Sequence, residues 1–478
     1  MIEPIPPSRR WPLPAADSTL WYFAPTVVGA ALPLVTLPLI THALAPAEYG
    51  AWVLAVVYGT FISGVGNFGL TVAYERNFFE HQEADAAAAL LWSTLAFVAA
   101  FLTLLVGLSW LAREPLSRWV IAEPGHATLF AWTTTAVCVQ SLKMYFLLYL
   151  RNRHEARSYA AFSVDETILG AVFTVVFVVW LRAGPVGLAL GQLIASALVL
   201  LALLVRFSRR VPPRVRAAPL RASLRLSLPL LPRILVGVVG TQFDKWVVGV
   251  FGSTSGAAVY AIGQRLANTV FLFATALENA FQPRTYRIMF ERGAEGGADV
   301  GRLLTPYAAA TVGFALLITL FADEAVALLT STGYAAAAVV TNILVVHFAL
   351  MFFGKQPQLT FAKRTDVISW ISLFSVLVTS VLTAAAAHRF GAVGAASGML
   401  LSGAIVTFVF VIAGQRHYRI GYEKGKLCAL YGGLVSASAL AIFLQGAAIP
   451  ATMVYAIKGA VVAAAAIALS RPLRRLSW

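Results

Sequence analysis

Apolar residues in this chain come in blocks of about twenty, parted by short polar and mostly basic segments, from one end to the other. About fourteen blocks can be read, near 20–41, 51–73, 87–111, 127–150, 159–181, 184–206, 227–250, 257–282, 304–322, 336–353, 367–387, 392–413, 427–445 and 450–470. Each is long enough to cross the hydrocarbon core of a bilayer, where backbone N–H and C=O groups find no water and must bond within their own segment. The blocks therefore predict membrane helices. The alternation over about ten residues that marks a membrane barrel strand is absent.

Composition agrees. With 59% hydrophobic and only 12% charged residues, and a mean hydropathy of +0.78, the chain is no water-soluble domain. Residues 1–19 are proline-rich and charged and lack a signal-peptide core, so they read as a cytoplasmic N-terminal segment. Cys138 and Cys428 both fall inside predicted spans, where apolar packing is expected rather than a disulfide or a metal site. No cofactor is expected. Gly421 to Lys426 has neither the spacing nor the Ser/Thr of a phosphate-binding loop. The longest loops, near 207–226 and 283–303, leave no room for an extramembrane catalytic domain, which argues against an enzyme.

A net charge of +15 could point to nucleic acid, but its distribution points to topology. With the N-terminus inside, 27 of the 36 basic residues fall on the inner side, among them Arg9, Arg10, Lys355, Arg474, Arg475 and the seven arginines from Arg206 to Arg225. Four fall outside (Arg113, Arg118, Arg182, Arg389), and five lie within spans. This is the positive-inside asymmetry, and it predicts both termini in the cytoplasm. Basic loops of this kind contact anionic lipid headgroups, not nucleic acid.

The chain also echoes itself. Gly184-Pro-Val-Gly-Leu-Ala-Leu-Gly-Gln-Leu193 recurs as Gly391-Ala-Val-Gly-Ala-Ala-Ser-Gly-Met-Leu400, an offset of about 207 residues. Each copy opens an apolar segment that ends in a basic loop. The fold class expected is all-α and polytopic: a six-helix lobe at 20–206, an Arg-rich cytoplasmic linker at 207–226, a second six-helix lobe at 227–413, and two extra helices in 414–478. An even number of crossings per lobe makes the repeats parallel, an arrangement in which transporters place their site between bundles.

Ionisable groups within spans are costly and therefore candidates for function. Arg233 and Asp244 share a face of the seventh span with Gly237, Gly240 and Thr241, and Lys245 stands on its flank. In the eighth span Arg265, Asn268 and Asn279 recur on one face. Two readings stand here. Asp244 and Arg265 form a buried ion pair that fixes helix packing, or Arg233, Lys245 and Arg265 line a cavity for an anionic headgroup with Asp244 tuning or gating them. In the first half, Lys143 faces either Asp165 or Glu166, as a neutralising pair or as part of a coupling site. His347 and Lys458 read as isolated polar residues that bond between helices. Pro25, Pro33 and Pro38 in span one, and Pro229 and Pro232 in span seven, predict broken helices at corresponding places of the repeat.

His42-Ala-Leu-Ala-Pro-Ala-Glu-Tyr-Gly-Ala-Trp-Val-Leu54 resembles the loop after the first helix of polysaccharide-transport and Wzx-type oligosaccharide flippases. Asn67-Phe-Gly-Leu70 with Glu75-Arg76, Phe243-Asp244-Lys245, Phe251-Gly252, Ala258-Val-Tyr-Ala-Ile-Gly263 and Ala280-Phe-Gln-Pro283 are similar to further motifs of that family. The resemblance covers the whole chain and implies the multidrug/oligosaccharidyl-lipid/polysaccharide exporter superfamily. It implies a V-shaped, two-lobed transporter that moves a polyprenyl-diphosphate-linked oligosaccharide across the bacterial inner membrane by alternating access. Arg233, Lys245, Arg265, Asn268, Asn279 and Lys143 are then expected to line the substrate cavity, and Asp244, Asp165 and Glu166 to couple or gate. Proton or sodium coupling, and contact with glycan-synthesis machinery, are expected alongside membrane lipids. Rival readings are a cation-coupled small-molecule exporter, a lipid II flippase, a membrane glycan-processing enzyme and a non-transporting scaffold.

Overall fold

The computed structural model describes residues 16–80, 83–354, 357–447 and 449–473. Most of the expected N-terminal segment, through residue 15, lies outside the described residues, as do Lys355, Arg474 and Arg475 of the basic loops. Among the described residues there is no strand. The first half folds as α1 (Ala16–Ala43), α2 (Pro46–Gly66), α3 (Leu70–Phe78), α4 (Ala84–Leu111), α5 (Arg113–Ile121), α6 (Ala127–Asn152), α7 (Ala156–Val175), α8 (Gly184–Arg210) and α9 (Ala217–Ser227). The second folds as α10 (Leu231–Phe251), α11 (Thr254–Arg292), α12 (Gly297–Leu320), α13 (Ala322–Leu329), α14 (Ala337–Leu350), α15 (Pro357–Phe361), α16 (Thr365–His417), α17 (Lys424–Gly446) and α18 (Ala451–Leu473).

Eleven helices among the described residues are long and apolar enough to cross a membrane, and the protein is a multi-pass membrane protein. Two of these stretches exceed a single crossing. Thr254–Leu320, 67 residues, joins α11 to α12 through a 3₁₀ turn. α16, 53 residues, leaves helical geometry at Gly391 and folds back on itself. α6, 26 residues long, carries Gln140 and Lys143 and falls outside the eleven.

The prolines act unequally. α1 runs unbroken through Pro25, Pro33 and Pro38, against expectation. Membrane helices tolerate proline where neighbouring groups re-satisfy the freed carbonyls. At Pro229 and Pro232 the break does form, as a 3₁₀ turn over Leu228–Leu230 between α9 and α10.

The chain divides into two compact units. The first comprises Met1–Ala43, Tyr58–Leu116 and Gly125–Leu235, and the second Leu44–Val57, Ser117–Pro124 and Val236–Trp478. The first unit's core is aromatic: Tyr74 meets Tyr145 edge-on at 5.8 Å, and Tyr149 meets Phe207 at 5.2 Å. The stretch read from sequence as a linker is folded into this unit. Trp92 Nε1 donates to the Val211 carbonyl at 2.8 Å, the Arg216 amide to Ser93 Oγ at 2.7 Å, and Asn77 Nδ2 to Ser223 Oγ at 3.0 Å. Arg214 pairs with Asp85. The linker reading missed α9 because its arginines hide an amphipathic helix that packs on α3 and α4.

In the second unit, α17 and α18 pack on α12. Lys458 of α18, buried to 3% exposure, donates to both carboxylate oxygens of Glu324 at 2.6 and 2.8 Å. It bonds between helices, as its sequence setting suggested. Beside this pair, burial raises the Asp323 carboxyl above its ordinary range, partly offset by the nearby Lys458 ammonium. Cys138 is buried in the first unit, whereas Cys428, expected to pack, is exposed on α17; both are free thiols.

The sequence echo has a backbone counterpart. Gly184 and Gly391 both adopt left-handed geometry, with φ of 60° and 56°. Such φ values carry a steric cost for any side chain, so glycine is favoured where each helix reverses. Further along each copy, a Cβ at Gly191 would stand 2.6 Å from the Thr174 amide nitrogen, and one at Gly398 would stand 2.6 Å from the Leu382 carbonyl oxygen. Each repeat glycine thus lets a helix lie directly on the one before it.

Candidate functional site: a cationic cavity in the second unit

The site begins with one helical hairpin. α10 ends at Phe251, and Ser253 restarts the chain as the N-cap of α11, its Oγ accepting the Gly256 amide at 2.9 Å. The antiparallel return brings side chains of α11 to Asp244 of α10. Tyr260 Oη donates to Asp244 Oδ2 at 3.0 Å and Gln264 Nε2 donates to the same oxygen at 2.6 Å. Oδ1 accepts the backbone amide of Lys245 at 2.8 Å.

The ion pair that one of the two readings placed between Asp244 and Arg265 does not form among the described residues. The depth was read correctly and the face was not. Tyr260 and Gln264 are four residues apart and share a stripe of α11, while the next residue is turned by about 100°. Arg265 therefore leaves the carboxylate and enters a cavity.

That cavity, about 830 Å³, lies wholly within the second unit. α10 supplies Gly237, Gly240, Thr241, Asp244 and Lys245, and α11 supplies Gln264, Arg265 and Asn268. The small residues of α10 open the space that larger side chains would fill. Lys245 Nζ donates to Gln242 at 3.3 Å, and neither Lys245 nor Arg265 meets an acid among the described residues. With Asp244 covered by three donors, the wall carries an excess of positive charge.

The opposite wall is α16, whose Ser375, Thr379 and Thr383 recur every fourth residue and so line one face. Tyr49 and Trp52 from the start of α2, and His347 from α14, complete the lining. Trp52 Nε1, Thr383 Oγ1 and His347 Nδ1 are buried without a hydrogen-bond partner. The arrangement suits an anionic group flanked by hydroxyl-rich and ring-shaped moieties.

Of the residues singled out from sequence, Lys245, Arg265, Asn268 and Asp244 line this cavity. Arg233 and Asn279 are exposed and outside the lining. Lys143, Asp165 and Glu166 belong to the first unit. There Lys143 and Glu166 form a buried ion pair, with side chains 7% and 13% exposed. Glu166 Oε1 also accepts Ser196 Oγ at 2.9 Å and Gln140 Nε2 at 3.4 Å, while Asp165 is exposed. The α16 hydroxyl stripe was visible in the sequence but carries no charge to draw attention. His347 carried no signal separating a cavity wall from an interhelical bond.

Residues 15–289, more than half of the chain, match the family model described as polysaccharide biosynthesis protein, and the chain belongs to that family. Over 238 residues it is 27% identical to the succinoglycan biosynthesis transport protein ExoT of Rhizobium meliloti (strain 1021), a match covering 50% of this chain and 46% of that protein. The match thus spans about half the length of this curated relative. The fold is similar to that of the lipid II flippase MurJ in an inward closed conformation, with a TM-score of 0.71 at 12% identity over 95% of this chain and 98% of that one. It is also similar to an inward-facing multidrug resistance MATE family transporter of the MOP superfamily, with a TM-score of 0.66 at 16% identity over 87% of this chain and 99% of that one. At these identities the likeness is one of fold alone.

Proposed function

We propose that this protein is a flippase that moves a polyprenyl-diphosphate-linked oligosaccharide across the bacterial inner membrane during assembly of a cell-surface polysaccharide such as an O-antigen, capsule or exopolysaccharide. The observation that carries this reading is the pair of cations, Lys245 and Arg265, set against the single carboxylate of Asp244 in a cavity whose lining also carries hydroxyls, amides, aromatic rings and aliphatic side chains. A diphosphate cannot enter hydrocarbon without losing its hydration, and fixed cations in a polar cavity offset that loss. Serine, threonine and Asn268 suit the sugars that follow, and about 830 Å³ holds a diphosphate with a few sugar rings. Family membership and the transport role of the succinoglycan relative support the same reading, as does the fold shared with transporters rather than enzymes. The cavity opens alternately to the two membrane faces, driven by a proton or sodium gradient. The apolar blocks are read as about fourteen crossings, and the basic loops as placing both termini in the cytoplasm.

The test is glycan export by cells carrying Lys245→Ala together with Arg265→Ala. Each lost charged hydrogen-bond donor removes about 1.5–3 kcal/mol of binding, so the double variant should export at least a hundredfold less. Arg233→Ala, which lies outside the lining, should export normally. Normal export by a well-inserted double variant would overturn the assignment.

A further inference from the structure

α8 has two dissimilar faces. Val199, Leu203 and Phe207 are buried in the core of the first unit. Leu198, Leu201 and Val205 stand 44%, 58% and 44% exposed on the other side, and their apolar strip ends at Arg206, Arg209 and Arg210. At 1.5 Å per residue the strip from Leu198 to Arg209 is roughly 16 Å long. That is about the hydrocarbon depth of one leaflet.

Two concavities meet at this end, and they share Arg206 and Arg210. One, about 580 Å³, runs along the apolar strip and ends at Arg209. The other, about 330 Å³, is polar and is bounded by Tyr149, Arg153 and Glu155. The two concavities together carry four guanidinium groups, Arg153, Arg206, Arg209 and Arg210, and one carboxylate, Glu155. Glu155 lies 3.4 Å from Arg206 and 3.9 Å from Arg210, which leaves charge over. Arg206 Nε is buried without a partner, while its terminal nitrogen donates to Ser158 at 2.8 Å. An apolar groove and a polar pocket joined at a cationic seam match an amphiphile whose negative charge sits between its chains and its headgroup.

We propose that the basic end of α8 holds an anionic phospholipid, with its acyl chains along Leu198–Val205, its phosphate at Arg206, Arg209 and Arg210, and its headgroup in the pocket of Tyr149 and Arg153. The pocket takes a glycerol-sized headgroup and is too small for a glycan of several sugars, which separates this site from the cavity of the second unit. The inference is independent of the transport substrate.

Native mass spectrometry of the full-length protein, equilibrated with phosphatidylglycerol and phosphatidylcholine of matched chains, tests it. The wild type should retain phosphatidylglycerol in preference to phosphatidylcholine. Arg209→Gln with Arg210→Gln should lower that retention about twenty- to thirtyfold, at about fivefold per cation. Arg206 is left in place because it bonds within the fold. Arg221→Gln with Arg225→Gln removes the same charge from α9 and should change little. Equal loss in both double variants, or equal retention of the two lipids, would overturn the site. Displacement of phosphatidylglycerol by one equivalent of a polyprenyl diphosphate would overturn phospholipid as its occupant.

Discussion

Lys143→Ala should destabilise the first unit by about 3–5 kcal/mol, the cost of leaving a buried charge without its partner. For a unit of this size that lowers the unfolding midpoint in detergent by roughly ten degrees. The expectation follows from how Glu166 is held. Its side chain is 13% exposed, and the remaining neighbours Ser196 and Gln140 donate hydrogen bonds but no charge. Removing both members, as Lys143→Ala with Glu166→Ala, should recover most of the loss, because an apolar pair carries no desolvation penalty. If the single and double variants melt together, the two residues are not coupled. The double variant also tests Glu166 as a coupling group. If it folds and still exports glycan, energy coupling does not run through this pair; if it folds and fails to export, the coupling role stands.

That pair illustrates what the sequence could reveal and where it stopped. A lysine and two acids at matching depths of consecutive spans read as a neutralising pair or as part of a coupling site, and Lys143 pairs with Glu166. Which of two adjacent acids would answer was undecidable, because one residue along a helix is a turn of about 100° and the neighbouring packing sets the phase. The same ambiguity misdirected Asp244, whose partners are Gln264 and Tyr260 rather than the adjacent Arg265. Span positions were legible because hydrocarbon thickness imposes them. The doubling back of α16 was legible as well, since Gly391 had already been paired with Gly184. The cavity was only half legible. Its α10 and α11 walls come from one hairpin, so local periodicity finds them, while Tyr49, Trp52, His347 and the α16 hydroxyls arrive from segments far apart in the chain. α9 was hidden for a different reason: arginine density reads as loop although one face of the helix is apolar.

Valine at the repeat glycines should approach the damage of the broken ion pair, and in both copies alike. At Gly191 a Cβ would lie 2.6 Å from the Thr174 amide nitrogen and 2.7 Å from its Cα; at Gly398 it would lie 2.6 Å from the Leu382 carbonyl oxygen and 2.8 Å from the Thr383 Cα. These obstacles are backbone atoms, which no rotamer change can move, so α8 must separate from α7 and the two arms of α16 from each other. Overpacking costs about 1–3 kcal/mol where side chains yield, and the upper end or beyond is expected where they cannot. Gly191→Val and Gly398→Val should each lower the unfolding midpoint by several degrees and reduce the yield of inserted protein. Gly432→Ala and Gly459→Ala, in helices with nothing within 4 Å of the new methyl, should be neutral or mildly stabilising. The symmetry gives the experiment its force. If the echo at about 207 residues is a true duplication, the two glycines occupy the same place in the same hairpin, and their substitutions should cost alike within about 1 kcal/mol. A large loss at Gly191 with none at Gly398 would mean that the two hairpins resemble each other only in sequence.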